Sequence, residues 1–156
     1  MQTKFEQRDF GRVQSGFSLI EALVALVVLS VGMIGIASLY GQGLSASRTA
    51  LYRTVAVNLA AEMADRIRAN RLGRASYTGA GAVRPCGPGG ATNCTPAQMA
   101  EYDVQLWRLL VQQQLPAGVG TVTFAAGTPP TYTIAVTWDD FGGATTYQIT
   151  PQIPVM

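Results

Sequence analysis

Gly16-Phe17-Ser18-Leu19-Ile20-Glu21 opens an apolar stretch that carries no charge from Ala22 to Ser47. The run from Phe17 to Tyr40 is rich in Leu, Val, Ile and Ala, and as one helix it is long enough to span a bilayer. Glu21 stands near its mouth. An acid at the centre of a bilayer costs about 2.5–3.5 kcal/mol on insertion scales, less near an end, and an acid so placed needs a partner. A free α-amine made by cutting the chain after Gly16 would lie four residues away, about one helical turn.

Residues 1–16, on the N-terminal side, are polar, with Lys4, Arg8 and Arg12 set against Glu6 and Asp9 and no periodicity. An ordinary secretory signal has an apolar region of about 7–15 residues ending at a small-residue site. This run is longer, and that reading leaves Glu21 unexplained. Arg48, Arg53 and Arg66 on the far side balance the near-side cations, so the charge rule does not orient the span. Gly32 and Gly35 weaken the helix by about 1 kcal/mol each against Ala. Close helix packing is the preferred account of them; a segment that stretches or melts in a filament is the alternative. No proline interrupts the run.

Beyond Leu44 the pattern becomes amphipathic. Leu51, Val55, Leu59, Met63 and Ile67 recur every four residues, a helical stripe. Glu62 and Arg66 form an i,i+4 pair in the favourable orientation, and Gly73 is placed as a helix C-cap. One helix from Phe17 to Leu72 would be roughly 84 Å long. Its first part would sit in lipid or a filament core, and its second would lay a stripe on a globular head. Arg66, Arg68, Arg71 and Arg74 read as the solvated end of that helix, where cations suit the dipole. DNA contact is the alternative, but no aromatic platform accompanies the arginines.

Residues 75–95 are rich in Gly, Pro, Ala and Ser and read as a loop. Thr95-Pro96-Ala97-Gln98 is a helix start, with Thr at the N-cap, Pro first and Gln at N3. Met99, Tyr102, Leu106, Leu109 and Leu110 are assigned to its apolar face up to Gln113, with Trp107 in the core and Pro116 ending the helix. Three strands follow: Thr121 to Ala125; one with Tyr132, Ile134, Val136 and Trp138 on a single face; and Thr145 to Thr150, closed by Pro151. Asp139 to Gly143 is placed as a turn. Its two acids lack the spacing of a calcium loop. The Thr-rich outer faces suit an antiparallel sheet with one wet side.

The chain has 156 residues, 13% of them charged, about half the usual share. A net charge of +2 is too small to imply nucleic acid, and none is expected as a partner. Histidine is absent, which removes the commonest general base, any Ser-His-Asp triad and most zinc sites. No nucleophile–base pair, phosphate loop or metal cluster appears. The expectation is a building block, not an enzyme, with no catalytic residue, metal or cofactor. Cys86 and Cys94 are spaced too widely for a CxxC motif. In a short exported chain an even count reads as a disulfide, with a functional thiol pair as the alternative.

Gly16, Phe17, Ser18, Leu19, Ile20 and Glu21, after a short basic leader, resemble the prepilin signature of type IV pilins and type II secretion pseudopilins. Ser18 stands where Thr is commoner. Many major pilins carry a proline in the apolar run, and this chain does not. Ala61-Glu62-Met63-Ala64-Asp65-Arg66-Ile67-Arg68-Ala69-Asn70 resembles the corresponding stretch of PilV-type minor pilins. The first resemblance spans roughly a third of the chain and the second about ten residues.

The resemblance implies an α+β pilin fold: a long N-terminal helix packed on a small antiparallel sheet of three strands, with one extra helix. It implies a cleaved leader (1–16), a transmembrane or filament-core helix (17–43) and a periplasmic head (44–156). It further implies cutting after Gly16 by a prepilin peptidase and N-methylation of Phe17. Glu21 would then offset the amine of a neighbouring subunit. The implied partners are the peptidase, the other minor pilins and the major pilin through the N-terminal helix, and the bacterial inner membrane before assembly. The implied function is a minor pilin that helps to prime type IV pilus assembly and enters the fibre. Its place would be near the tip but below another subunit, since extreme-tip subunits often lack the acid. The alternatives are a minor pseudopilin of type II secretion, a DNA-uptake or adhesive minor pilin, and a single-span membrane protein that never assembles.

Overall fold

The computed structural model describes residues 16–90 and 93–154. Most of the expected leader therefore lies outside the described residues. The chain divides into two compact units, one ending at Gly43 and one beginning at Leu44. Helix α1, Leu19–Ala69, contributes to both.

In the first unit every large apolar side chain from Phe17 to Tyr40 is exposed, with exposures between 56% and 89%. This length and composition suffice to cross a membrane. A Cβ added at Gly32 or Gly35 would meet nothing within 4 Å, so any close packing there must involve another molecule.

The second unit is an α+β head. Ala56, Leu59, Ala60, Met63, Ala64 and Ile67 form the buried stripe of α1, alternating small and large side chains at helical spacing. Leu51, assigned to that stripe from its spacing, is 60% exposed, and Val55 only borders the core. The helix ends at Ala69, and Arg71–Tyr77 follows as 3₁₀ turns broken by a kink at Arg74, whose φ is 41°. Gly73 is not a C-cap. It is buried in the 3₁₀ segment, where a Cβ would lie 2.8 Å from the Tyr77 ring and 2.9 Å from Ala100 Cβ. Its lack of a side chain lets Tyr77 fold into the core, where it is wholly buried.

Helix α2, Pro96–Gln114, starts as its sequence dictates. The Thr95 hydroxyl accepts from Gln98 N (3.3 Å), and the Gln98 side chain accepts from Thr95 N (2.9 Å). Its buried face differs from the assigned one. Ala100, Val104, Trp107 and Val111 face the core, and Leu109 is 42% exposed. Contacts on two sides of the helix set this rotation. Trp107 Nε1 donates to Leu59 O of α1 at 2.8 Å, which fixes the ring inward. The opposite flank covers the loop before α2: Arg84 pairs with Glu101 at 2.6 Å, Ala82 N donates to Glu101 O at 3.0 Å, and Tyr102 packs on Gly87. An apolar residue on that flank is thus used without facing the core.

The sheet is antiparallel in the order β1 (Val119–Ala125), β2 (Thr131–Asp140), β3 (Gly143–Ile149). Tyr132, Ile134, Val136 and Trp138 are all buried, in strict alternation along the central strand. Gly120 of β1 lies beneath Trp107, so close that a Cβ would strike the indole. The β2–β3 turn is tighter than expected: Asp139 and Asp140 still pair in the sheet, and only Phe141 and Gly142 make the turn.

Candidate assembly site at the N-terminus

Gly16, Phe17 and Ser18 precede the helix, and all are exposed. Ser18 O accepts from Ala22 N at 3.2 Å, which puts Ser18 at the N-cap position, where short hydroxyl residues are favoured. Glu21 falls in the first turn, three residues on. Ser-x-x-Glu is the capping-box spacing, a second local signal for a helix start here. A carboxylate there also suits the positive end of the helix dipole. The Gly16–Phe17 bond thus lies in exposed backbone just outside the helix, with the acid one turn away. A Cβ at Gly16 would meet nothing within 4 Å, so the described fold makes no demand for glycine there.

The other singled-out residues lie in the head. Cys86 and Cys94 are disulfide-bonded, with Cα atoms 5.9 Å apart. The four arginines do not form one basic surface. Arg68 pairs with Asp65 (2.6 Å), Arg71 donates to Arg68 O (3.2 Å), and Arg74 borders a cleft walled by Pro129, Pro130 and Pro154.

Arg66 is the centre of a partly buried network. It reaches Glu62 at 2.7 Å, as the spacing predicts, and Asp103 of α2 at 2.9 Å. Tyr77 donates to Arg66 O (3.1 Å) and to Asp103 Oδ2 (3.3 Å). Burial alone would lower the Arg66 pKa, but hydrogen bonds and charge from Glu62 and Asp103 outweigh it and hold the pKa above its usual value. Burial, then the Asp103 charge, pushes the Tyr77 hydroxyl up. Asp103 and Tyr77 are distant in sequence from Arg66, and no local spacing pointed to them.

Two family models match the chain. One, for a prokaryotic N-terminal methylation motif, covers residues 11–37. The other, described as type IV pilin Tt1218, covers residues 39–105. Together the two matches support a type IV pilin-like protein. Neither a curated protein nor a solved structure is matched. The first match contains Gly16 to Glu21 and most of the apolar run. The second contains the head portion of α1, the Arg66 network, the disulfide and the first half of α2. The three strands lie beyond both matches; with α1 and α2 they complete an α+β, pilin-like fold.

Proposed function

We propose that this pilin is a minor subunit of the PilV type, which is processed at Gly16–Phe17, helps to prime type IV pilus assembly and enters the fibre. In this reading residues 1–16 are a leader removed by a prepilin peptidase, residues 17–43 span the inner membrane, and residues 44–156 lie outside the cytoplasm. Hydrolysis of the Gly16–Phe17 bond frees the α-amine of Phe17, which then accepts a methyl group. The chain serves as substrate and structural unit; it is not an enzyme. The observation that carries the proposal is Glu21, an acid in the first turn of an otherwise charge-free span, next to the exposed Gly16–Phe17 bond.

The physics favours an assembling subunit over a simple anchor. An anchor needs apolarity alone, and Glu21 only weakens insertion. A subunit leaving the bilayer for a filament desolvates both its amine and its acid, and desolvated charges are tolerated only when paired. The amine of one copy and Glu21 of the next satisfy each other where attraction is stronger than in water. An intrachain pair is the competing account. The match to a type IV pilin over 39–105 favours the pilus over a secretion pseudopilus, and the Ala61–Asn70 resemblance supports the minor-subunit role.

The test is Glu21→Ala in a piliated host. The variant should be cleaved and membrane-retained, yet lost from sheared pili, with pilus number reduced. Wild-type incorporation would discard the intersubunit role in favour of the intrachain pair.

A further inference from the structure

A cleft of about 380 Å³ opens on the head between Arg74, Gly127, Thr128, Pro129, Pro130 and Pro154. That volume is within the range of about 300–1,000 Å³ usual for ligand clefts. Its walls are fixed from behind. Ile153 N donates to Pro130 O at 3.1 Å and Tyr132 N to Pro151 O at 3.0 Å, with Thr131 and Gln152 bridged between them. Pro129-Pro130 and Pro154 therefore keep their spacing. Arg74 is fixed from the other side. Its φ of 41° and ψ of −120° are a strained choice for a residue with a Cβ. The buried Gly73 and Tyr77 hold that kink, and strain of this kind collects at ligand clamps. No carboxylate among the described residues pairs with Arg74, whereas Arg66, Arg68 and Arg84 each have one. Burial raises the pKa of Tyr132 and the Arg74 charge offsets part of the rise, so the guanidinium lies within electrostatic reach of the sheet.

We propose that this cleft binds an acidic peptide segment of a partner protein, with a carboxylate on Arg74 and the neighbouring aromatic side chain between the prolines. The charge decides the first half. An unpaired guanidinium takes a carboxylate through two parallel hydrogen bonds, a geometry that an ammonium lacks. The walls decide the second. Proline offers an apolar ring and no N–H, so Pro129, Pro130 and Pro154 bring no backbone donor. Arg74 and the Thr128 hydroxyl are the side-chain donors of the cleft. A sugar acid would carry a ring of hydroxyls into a site that satisfies few of them, and stranded hydroxyls oppose binding. An acid beside an aromatic ring leaves little unsatisfied, because aromatic rings and prolines pack well on each other. Walls that are already rigid lose little freedom when the peptide enters. The affinity is modest, since a single exposed ion pair is weak. Binding here needs the head alone, so it stands apart from processing at Gly16–Phe17.

The experiment uses the full chain in detergent and the capped dipeptide N-acetyl-phenylalanyl-glutamate amide, followed by amide NMR shifts. The peptide should move the Arg74, Gly127 and Thr128 signals saturably, with half-saturation at about 1 mM. The glutamine counterpart should bind severalfold more weakly, and added salt should weaken the glutamate peptide. Arg74→Lys should also bind severalfold more weakly. Arg74→Gly removes the guanidinium and suits the positive φ, so it should keep the Trp107 and Trp138 indole signals in place and lose the peptide shifts. No saturable shift at about 10 mM peptide, equal affinity for the two peptides, or unchanged binding by Arg74→Gly overturns the proposal. Glucuronate binding more tightly than the glutamate peptide assigns the cleft to acidic sugars and overturns it. Shifts of the same amides that grow with protein concentration in the absence of peptide assign it to a second copy, with the same consequence. Binding that appears only once residues 155–156 are deleted assigns the cleft to this chain's own segment and overturns it too.

Discussion

Replacing Arg66 by methionine tests what joins α1 to α2 in the head. The substitution keeps most of the aliphatic stem and removes the guanidinium, which bonds Glu62 at 2.7 Å and Asp103 at 2.9 Å. The Glu62 side chain is 40% exposed, so its loss costs no more than about 0.5 kcal/mol. The Asp103 side chain is 13% exposed and, among the described residues, would keep the Tyr77 hydroxyl alone, at 3.3 Å. Stranding a fully buried charge costs about 3–5 kcal/mol, and partial exposure reduces that to about 2 kcal/mol here. For a domain of this size the melting temperature should fall by about 8 °C. Asp103→Leu alone should also destabilise, while the double variant should recover more than about 1 kcal/mol relative to the sum of the single changes. The assay is thermal unfolding of the full chain in detergent, followed by tryptophan fluorescence. An Arg66→Met variant within about 0.5 kcal/mol of the parent, or strict additivity, would refute the network's role.

Gly16→Val should block cleavage and leave the longer precursor in the membrane, because a peptidase that needs close backbone approach would meet the added side chain; mature chain starting at Phe17 in normal amount on an immunoblot would show that this glycine is not required. Reducing Cys86–Cys94 reopens a nine-residue loop and should cost about 2.6 kcal/mol in the chain-entropy model, read as a lower melting temperature. Two thiols titrating in unreduced, unfolded protein would rule the bridge out. Burial raises the pKa of both Tyr77 and Tyr132. Their folded pKa values lie above the unfolded value of about 10, so their contribution is intact below pH 10 and declines as pH rises beyond it, by at most about 1.4 kcal/mol per pH unit for each ring. Tyr77→Phe should flatten the alkaline limb of the stability–pH curve, and an unchanged limb would mean that Tyr77 ionises freely.

Features encoded within a few consecutive residues were legible in the sequence. Gly16 to Glu21 is a local signal, as is the Thr95–Gln98 capping box, and the alternation of Tyr132, Ile134, Val136 and Trp138 identified the buried face of β2. What depended on distant partners was not. The rotation of α2 was misassigned because both its flanks are partly apolar, and the choice rests on Trp107 reaching Leu59 O and on the loop that Tyr102 covers. Gly73 had the sequence look of a helix stop, yet its role is to admit Tyr77 beside Ala100. No local spacing marks Asp103 as a partner of Arg66, and only the fold brings the two together.

The most direct test of the proposed role is intact-mass analysis of this chain recovered from sheared, washed pili. The account predicts a polypeptide that begins at Phe17, carries one added methyl group at its N-terminus and retains the Cys86–Cys94 bond. Full-length precursor in the fibres, an unmethylated start at another residue, or the chain's confinement to the membrane fraction of a piliated cell would contradict it.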